Sequence, residues 1–145
     1  MKRAATPAFR SASAGVLDAG VVMARLESTH RAHHAVRPIF ERSLRRETRL
    51  HISVVNLAEV LQHARPIVTA LGLDPVAFLT GFDIFLHSPD TDIARRVADL
   101  AELEDVSLAD RFAAATALAL GARLYTTDAA LVRALKPLRL PITKL

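Results

Sequence analysis

Four acidic residues occupy places in this sequence where carboxylates could act together. Each lies at the end of a predicted strand or close to the start of a helix: Asp18, Glu59, Asp110 and Asp128. Asp18 is the least expected of them, because it stands inside the apolar run GVLDAGVV. An ionised carboxylate in apolar surroundings is costly unless a cation or hydrogen-bond donors compensate it.

Three of the four acids have an alternative explanation as helix caps. Asn56 and Glu59 have the spacing of a capping box, and Ser107 and Asp110 repeat that spacing. Asp128 precedes a predicted helix, as an N-cap would. Taken singly, each of these acids is explained better by capping than by chemistry, because short motifs often mislead.

Capping explains Asp18 and Asp110 least well. The segment AGVVMARL after Asp18 is a weak helix start, and the helix that begins near Asp110 is apolar on nearly every face. If the acids converge, two unit charges about 5 Å apart repel by roughly 3 kcal/mol at an effective dielectric of about 20. Such a cluster requires a cation, and hard oxygen ligands without cysteine favour Mg²⁺ or Mn²⁺ over Zn²⁺.

The elements that must position these residues form a single α/β domain over residues 15–145. Apolar and β-branched runs predict five strands, and segments with helical spacing separate them. This alternation predicts a parallel sheet covered on both faces, with the active site beyond the carboxyl ends of the strands. The predicted strands are 15–23 (as far as Asp18 or slightly beyond), 51–55, 84–87, 123–126 and 140–145, and the predicted helices include 32–49, 56–64, 74–82, 92–103, 107–120 and 129–135.

Composition narrows the class of protein further. The chain has 145 residues, of which 51% are hydrophobic, so it is predicted to fold as one globular domain. It has no cysteine, which excludes disulfides and thiolate metal sites, and its net charge of +4 favours anionic partners such as nucleic acid.

No apolar run of the sequence is long enough to span a membrane. A cytoplasmic location is expected. Residues 1–14 are expected to be a disordered extension.

An arginine stripe on the predicted helix 32–49 is the candidate surface for RNA. The stripe has the spacing i, i+3, i+4, i+7 and consists of Arg42, Arg45, Arg46 and Arg49. A solvated face partly neutralised by Glu41 and Glu47 is the alternative explanation, and the sequence favours it slightly.

Three segments together resemble a known family. VLDAGVV, HISVVNLAEVL and SLADRFAAATALALGARLYTTDAAL, in this order, are similar to PIN domains, and specifically to the VapC-type toxins of toxin–antitoxin pairs. The resemblance extends from about residue 15 to the C-terminus. It implies a three-layer fold with a parallel sheet of about five strands, a Mg²⁺- or Mn²⁺-dependent ribonuclease activity, an antitoxin partner and a homodimer.

The resemblance also assigns roles to residues. The catalytic and metal-binding acids of the family fall on Asp18, Glu59, Asp110 and Asp128. The hydroxyl that precedes the last acid falls on Thr126, and either Thr126 or Asn56 could hold a ligand or a water in place.

Two other functions remain open on the sequence. Many members of the family have Ser or Thr where this chain has Gly20, so a catalytically weak or inactive interaction module with the same fold is one alternative. A receiver-like phosphotransfer domain is the other, because receivers also carry acids at strand ends, although the acids here fit that pattern poorly.

Overall fold

The computed structural model describes residues 13–145, which form a five-stranded sheet with helices packed on both faces. All neighbouring strands are parallel, and their order across the sheet is β3-β2-β1-β4-β5. The predicted three-layer α/β fold is therefore confirmed. The strands are β1 Ser13–Leu17, β2 Thr48–Ser53, β3 Phe85–His87, β4 Arg123–Thr126 and β5 Ile142–Lys144.

Eight α-helices and one short 3₁₀ helix, Leu100–Glu102, connect the strands of this part of the chain. The helices are α1 Ala19–Leu26, α2 His33–Leu44, α3 Val54–His63, α4 Arg65–Leu71, α5 Pro75–Gly81, α6 Thr91–Asp99, α7 Leu108–Leu120 and α8 Ala129–Ala134. No helix within residues 13–145 is long and apolar enough to cross a membrane.

The sheet separates two hydrophobic cores. Val16 and Leu17 are adjacent in β1 and both fully buried, Val16 in the core formed with α6, α7 and α8, and Leu17 in the core beneath α1 to α5. Successive side chains of a strand point to opposite faces, so a strand that is apolar at both positions must be covered twice. This is why the central strand β1 has no polar residue between Gly15 and Leu17.

Several predicted boundaries differ from the structure. The first strand ends at Leu17, and α1, which was not predicted, begins at Ala19. The second helix ends at Leu44 rather than at Arg49 because Arg46 has a left-handed φ of 58°. The helix predicted over 56–64 is α3, which begins at Val54 rather than at Asn56.

Two other expectations concern the N-terminus and Pro66. Pro66 follows the predicted helix 56–64, which its ring would end or kink, and it lies in the first turn of the separate helix α4, where its missing N–H costs nothing. The expected extension, 1–14, lies outside the described residues except for its last two, which begin β1.

The strand order identifies the position in the sheet where a site is expected. The chain leaves β1 towards one face through α1 and leaves β4 towards the other face through α8. Adjacent parallel strands whose connections diverge in this way form a crevice at their carboxyl ends, the usual ligand-binding position of such sheets. The order also differs from the 2-1-3-4-5 order of receivers, so the receiver-like alternative is wrong.

Candidate active site

Asp18 lies at the carboxyl end of β1, in the crevice beside β4. Its backbone N–H donates to the carbonyl of Tyr125 in β4, and its side chain is only 4% exposed. Its Oδ1 accepts a hydrogen bond from Val21 N at 3.0 Å, which makes Asp18 the N-cap of α1. The prediction that capping explains Asp18 poorly was therefore wrong. The cap accounts for only one carboxylate oxygen, however.

The second oxygen of Asp18 connects it to β4. The hydroxyl of Thr126, a fully buried residue, donates to Asp18 Oδ2 and accepts from the backbone N–H of Asp128 at 3.0 Å. Asp128 itself is exposed and caps α8 by accepting from the N–H groups of Ala130 and Leu131. One hydroxyl thus joins the ends of β1 and β4 and orients both acids.

Asp110 enters the site from the first turn of α7. Ser107 caps this helix by accepting from Asp110 N at 3.1 Å, so half of the predicted capping box is present. Ala113, Ala114 and Ala117 on the same helix are fully buried, and α7 packs against β1, β2 and β4. These small side chains let the helix lie close to the sheet, as the sequence suggested, and bring its N-terminus to the carboxyl edge.

Asn56 and Glu59 lie on α3, which packs against α7. The predicted capping box between them is wrong, because Ser53 is the N-cap of α3 and Asn56 is fully buried inside the helix. Asn56 Nδ2 donates to the carbonyl of Ala109, which directly precedes Asp110, at 3.0 Å. The other amide atom, Oδ1, is buried without a hydrogen-bond partner among the described residues. Glu59 is partly buried and shares the helix face of Asn56, three residues later.

Electrostatics shows which acids the structure brings together. The pKa of Asp18 is raised to about 6, chiefly by burial; the hydrogen bonds from Thr126 and Val21 oppose the increase, and the charges of Asp110 and Asp128 add a smaller contribution to it. Burial also raises the pKa of Asp110, against the hydrogen bonding of Ser107 and with an added contribution from Asp128. Asp18, Asp110 and Asp128 therefore repel one another across one crevice. Glu59 is not among the charges that act on Asp18 or Asp110.

The sequence and the fold both match a known family. Residues 15–136 match the PIN domain family, a span that includes the crevice and all four candidate acids. The chain belongs to the PIN domain family. Members of this family are generally nucleases that use divalent metal ions. No curated protein matches the chain at a significant level.

Solved structures with the same fold include several toxin–antitoxin proteins. VapBC2 from Rickettsia felis, bound to a DNA fragment from its promoter, has 16% sequence identity and a TM-score of 0.66 over 91% of this chain and 98% of that one. VapC20 from Mycobacterium tuberculosis, a toxin that cleaves the sarcin–ricin loop, has 13% identity and a TM-score of 0.66 over 83% and 94%. VapBC-5 from the same organism has 24% identity and a TM-score of 0.57 over 92% and 99%.

The donor atoms of this PIN domain suit a hard divalent ion. Carboxylate oxygens that raise one another's pKa are stabilised most directly by a cation, and the available donors are oxygens. Within residues 13–145, no three Asp, Glu or His side chains are grouped tightly enough to enclose an ion. The hydrogen bonds explain this arrangement, because Asp18 and Asp128 turn their oxygens towards Thr126 and the helix N-termini. The metal-binding role of the four acids stays a prediction.

The predicted arginine stripe is not one helix face in this PIN domain. Only Arg42 lies within α2, while Arg45 and Arg46 follow its end and Arg49 lies on β2. Glu47 pairs with Arg42 at 3.7 Å and with Arg45 at 2.7 Å. Arg46 approaches Asp83, and Arg49 lies over the ring of Phe85 at 5.3 Å. The spacing argument was therefore wrong, whereas a role of these residues in RNA binding stays a prediction.

Thr127, whose hydroxyl lies near Asp18, was not among the predicted site residues. An added Cβ on Gly20 would lie 2.8 Å from Thr127 Oγ1 and 3.3 Å from Asp18 Oδ1. The sequence places Thr127 next to Thr126 but gives no sign that its hydroxyl lies over Gly20, more than 100 positions away. Only the pairing of β1 with β4 brings the two together.

Proposed function

We propose that this PIN domain is a metal-dependent ribonuclease that hydrolyses phosphodiester bonds in RNA. The observation that carries the proposal is that Asp18, Asp110 and Asp128 meet at the β1–β4 crevice, where burial, with a smaller contribution from their mutual repulsion, raises the pKa of Asp18 to about 6. Membership of a family that is generally nuclease supports the same conclusion. The acids would serve as the ion's ligands, and capping alone leaves their repulsion unexplained.

Each residue of the crevice has a separate role in holding the metal ion or its ligands. Asp18 and Asp110 would hold Mg²⁺ or Mn²⁺ directly, and Asp128 and Glu59 would complete the shell directly or through water. A bound divalent ion supplies a water of lowered pKa and neutralises charge that develops on the phosphodiester. Thr126 keeps Asp18 oriented through its hydroxyl.

Asn56 supports Asp110 from the other side of the crevice. Its Nδ2 bonds the carbonyl of Ala109 and so fixes the backbone next to Asp110. Its buried Oδ1 needs a donor, and a water bound near the acids would provide one.

RNA capture is assigned to the basic residues Arg42, Arg45, Arg46 and Arg49. Arg42 and Arg45 pair with Glu47, and Arg46 pairs with Asp83. Both acids are exposed, and such surface pairs contribute little to stability, so a phosphate can replace them at little cost. RNA binding through this surface should weaken steeply as salt increases.

The partner of this nuclease is proposed to be an antitoxin, which makes the chain the toxin of a type II pair. The support is structural similarity to VapBC proteins from Rickettsia felis and Mycobacterium tuberculosis. A homodimer is part of the same proposal.

The test compares two capping aspartates. Asp18 accepts from Val21 N and Asp90 accepts from Ile93 N, so each caps a helix three residues before the donor. Asn caps helices about as well as Asp, so D18N and D90N should both keep the fold while each removes one charge. Hydrolysis of a generic RNA with Mn²⁺ is expected for the wild type and D90N, and a loss of at least about 100-fold is expected for D18N, since Asp18 would be a direct metal ligand.

Other results would contradict the proposal. Equal activity of D18N and the wild type would place the chemistry elsewhere. A wild type that binds RNA or a protein partner with no hydrolysis would favour the inactive interaction module, for which Gly20 is the supporting residue.

A further inference from the structure

Gly20 and Thr127 share one small space beside Asp18. Gly20 is the second residue of α1, and a Cβ there would lie only 2.8 Å from Thr127 Oγ1, closer than real Cβ contacts occur. The same point lies 3.3 Å from Asp18 Oδ1. The hydroxyl of Thr127 therefore fills the space that a side chain at position 20 would use, next to the carboxylate.

The backbone that carries Thr127 is held in place by its neighbours. Thr126 Oγ1 bonds Asp18 on one side and accepts from the Asp128 backbone N–H on the other, so the turn that contains Thr127 is closed by a hydrogen bond across it. Thr127 is partly exposed, whereas Asp18 is almost fully buried. Thr127 is thus the more accessible of the two residues, and its hydroxyl borders the same small space as the Asp18 carboxylate.

We infer that Thr127 is a positioning residue of the site: its hydroxyl, admitted by the missing side chain of Gly20, holds a water or phosphate oxygen beside Asp18 Oδ1. This inference rests on the proposed metal-dependent nuclease function and adds a residue to it. It also reverses the expectation that Gly20 weakens the site. A Ser or Thr at position 20 would supply a hydroxyl from α1, and here Thr127, directly after β4, supplies the hydroxyl instead.

A purely steric role for Thr127 makes different predictions. Valine has the shape of threonine without the hydroxyl, and serine has the hydroxyl without the methyl group. If Thr127 only fills the space beside Gly20, T127V and T127S should both behave as the wild type, because each keeps an atom at the position of Oγ1. If the hydroxyl positions a ligand, T127V should lose function and T127S should keep it.

The experiment measures Mn²⁺ affinity by calorimetry and RNA hydrolysis under identical conditions. T127V is expected to lose about tenfold in Mn²⁺ affinity, the lower end of what outer-sphere partners of a metal contribute, and T127S is expected to retain the wild-type value within about threefold. Thr69 provides the matched control, because its hydroxyl bonds the Arg65 carbonyl on α4, and T69V should change neither readout.

A double substitution tests whether the two positions share one hydroxyl. G20S alone should lower thermal stability and Mn²⁺ affinity, because its Cβ would collide with Thr127 Oγ1. T127A alone should lower affinity by about tenfold. The pair G20S/T127A removes the collision and returns a hydroxyl from position 20, so affinity should recover to within about threefold of the wild type.

The possible results separate this inference from the function on which it rests. A wild type that binds no Mn²⁺ and cleaves no RNA would overturn both. A wild type that binds Mn²⁺ and cleaves RNA, with T127V unchanged or with G20S/T127A no better than the single variants, would overturn the role of Thr127 alone.

Discussion

At the scale of single residues, Asp18 has two opposite effects on the stability of the folded state. As an N-cap it stabilises α1, and as a buried charge beside Asp110 and Asp128 it destabilises the folded state. Its two hydrogen bonds offset only part of the second effect, because the pKa remains above the ordinary value in spite of them. A carboxylate kept at such a cost is better explained by a ligand than by the cap, which Asn would provide equally well.

The raised pKa of Asp18 leads to a prediction about stability and pH. Since the pKa of Asp18 rises from 3.8 to about 6 on folding, the folded state binds this proton more tightly, so the contribution of Asp18 to stability is greatest below pH 4 and is lost as pH rises through 6. Two pKa units correspond to roughly 3 kcal/mol. Without divalent ions, D18N should therefore be more stable than the wild type by about 1 to 3 kcal/mol at pH 7 and about equal to it near pH 4, as measured by urea unfolding at each pH.

D90N is the control for this measurement. Asp90 also caps a helix, but it lies outside the crevice, so its substitution removes a capping charge without relieving the burial and repulsion of Asp18. A D18N curve that runs parallel to the wild-type curve over this range would contradict the raised pKa.

At the scale of secondary-structure elements, the acids are positioned by the places where helices begin. Asp18, Asp110 and Asp128 stand at or near the N-termini of α1, α7 and α8, where backbone N–H groups and the helix dipole favour negative charge. Three helix N-termini at one sheet edge offset part of the repulsion that the acids create. Capping and function are therefore compatible explanations of the same residues.

Much of this arrangement could be predicted from local sequence. The strand β4, which ends at Thr126, and the end of α7 at Gly121 were predicted correctly, because strand composition and a C-terminal glycine are local signals. The helix α1 was missed since Gly20 and two valines are poor helix formers, and burial of Val21 and Val22 in the core outweighs that preference.

Contacts between residues that are far apart in the sequence could not be predicted. Asn56 has the spacing of a cap, yet it bonds the carbonyl of Ala109, which is 53 positions away in the sequence. The same holds for the contact between Gly20 and Thr127. The four acids were proposed from the sequence because they lie at predicted element ends, whereas the contacts around them are visible only in the folded chain.

Two glycines at helix ends allow a test of how the elements are terminated. Gly121 has a left-handed φ of 59° at the end of α7, while Gly81 ends α5 without a positive φ. Neither has an atom within 4 Å of an added Cβ, so sterics between side chains play no part. G121A should cost about 1 to 2 kcal/mol because of the left-handed conformation. G81A should stabilise by about 0.4 to 1 kcal/mol because it restricts the unfolded chain, and urea unfolding would measure both changes.

A destabilised G81A with an unaffected G121A would contradict this account of the helix ends. Equal effects of the two substitutions would show that loss of glycine matters in itself, without regard to backbone conformation.

At the scale of the whole molecule, the sheet order concentrates negative charge in a basic protein. The chain has a net charge of +4, yet the crevice between β1 and β4 contains three mutually repelling carboxylates. The β1–β4 pairing produces this contrast, because it joins the first and last acids, 110 positions apart, through the Thr126 hydroxyl. A polyanionic RNA can approach such a crevice only if its negative charge is neutralised and the surrounding surface is basic.

Stability of the whole domain should therefore depend on divalent ions and on pH together. An ion that binds only the folded state adds about 2.7 kcal/mol at one hundred times its Kd. Because Asp18 must lose its proton to bind, this gain should be complete at pH 7 and should fade below pH 6, as thermal unfolding with and without Mn²⁺ would show. NaCl at matched ionic strength screens repulsion without occupying a site, so it should give only a small part of the increase. D18N should abolish the Mn²⁺-dependent part, and D90N should keep it. A gain that D18N retains, or that NaCl reproduces, would show that screening alone relieves the repulsion in the crevice.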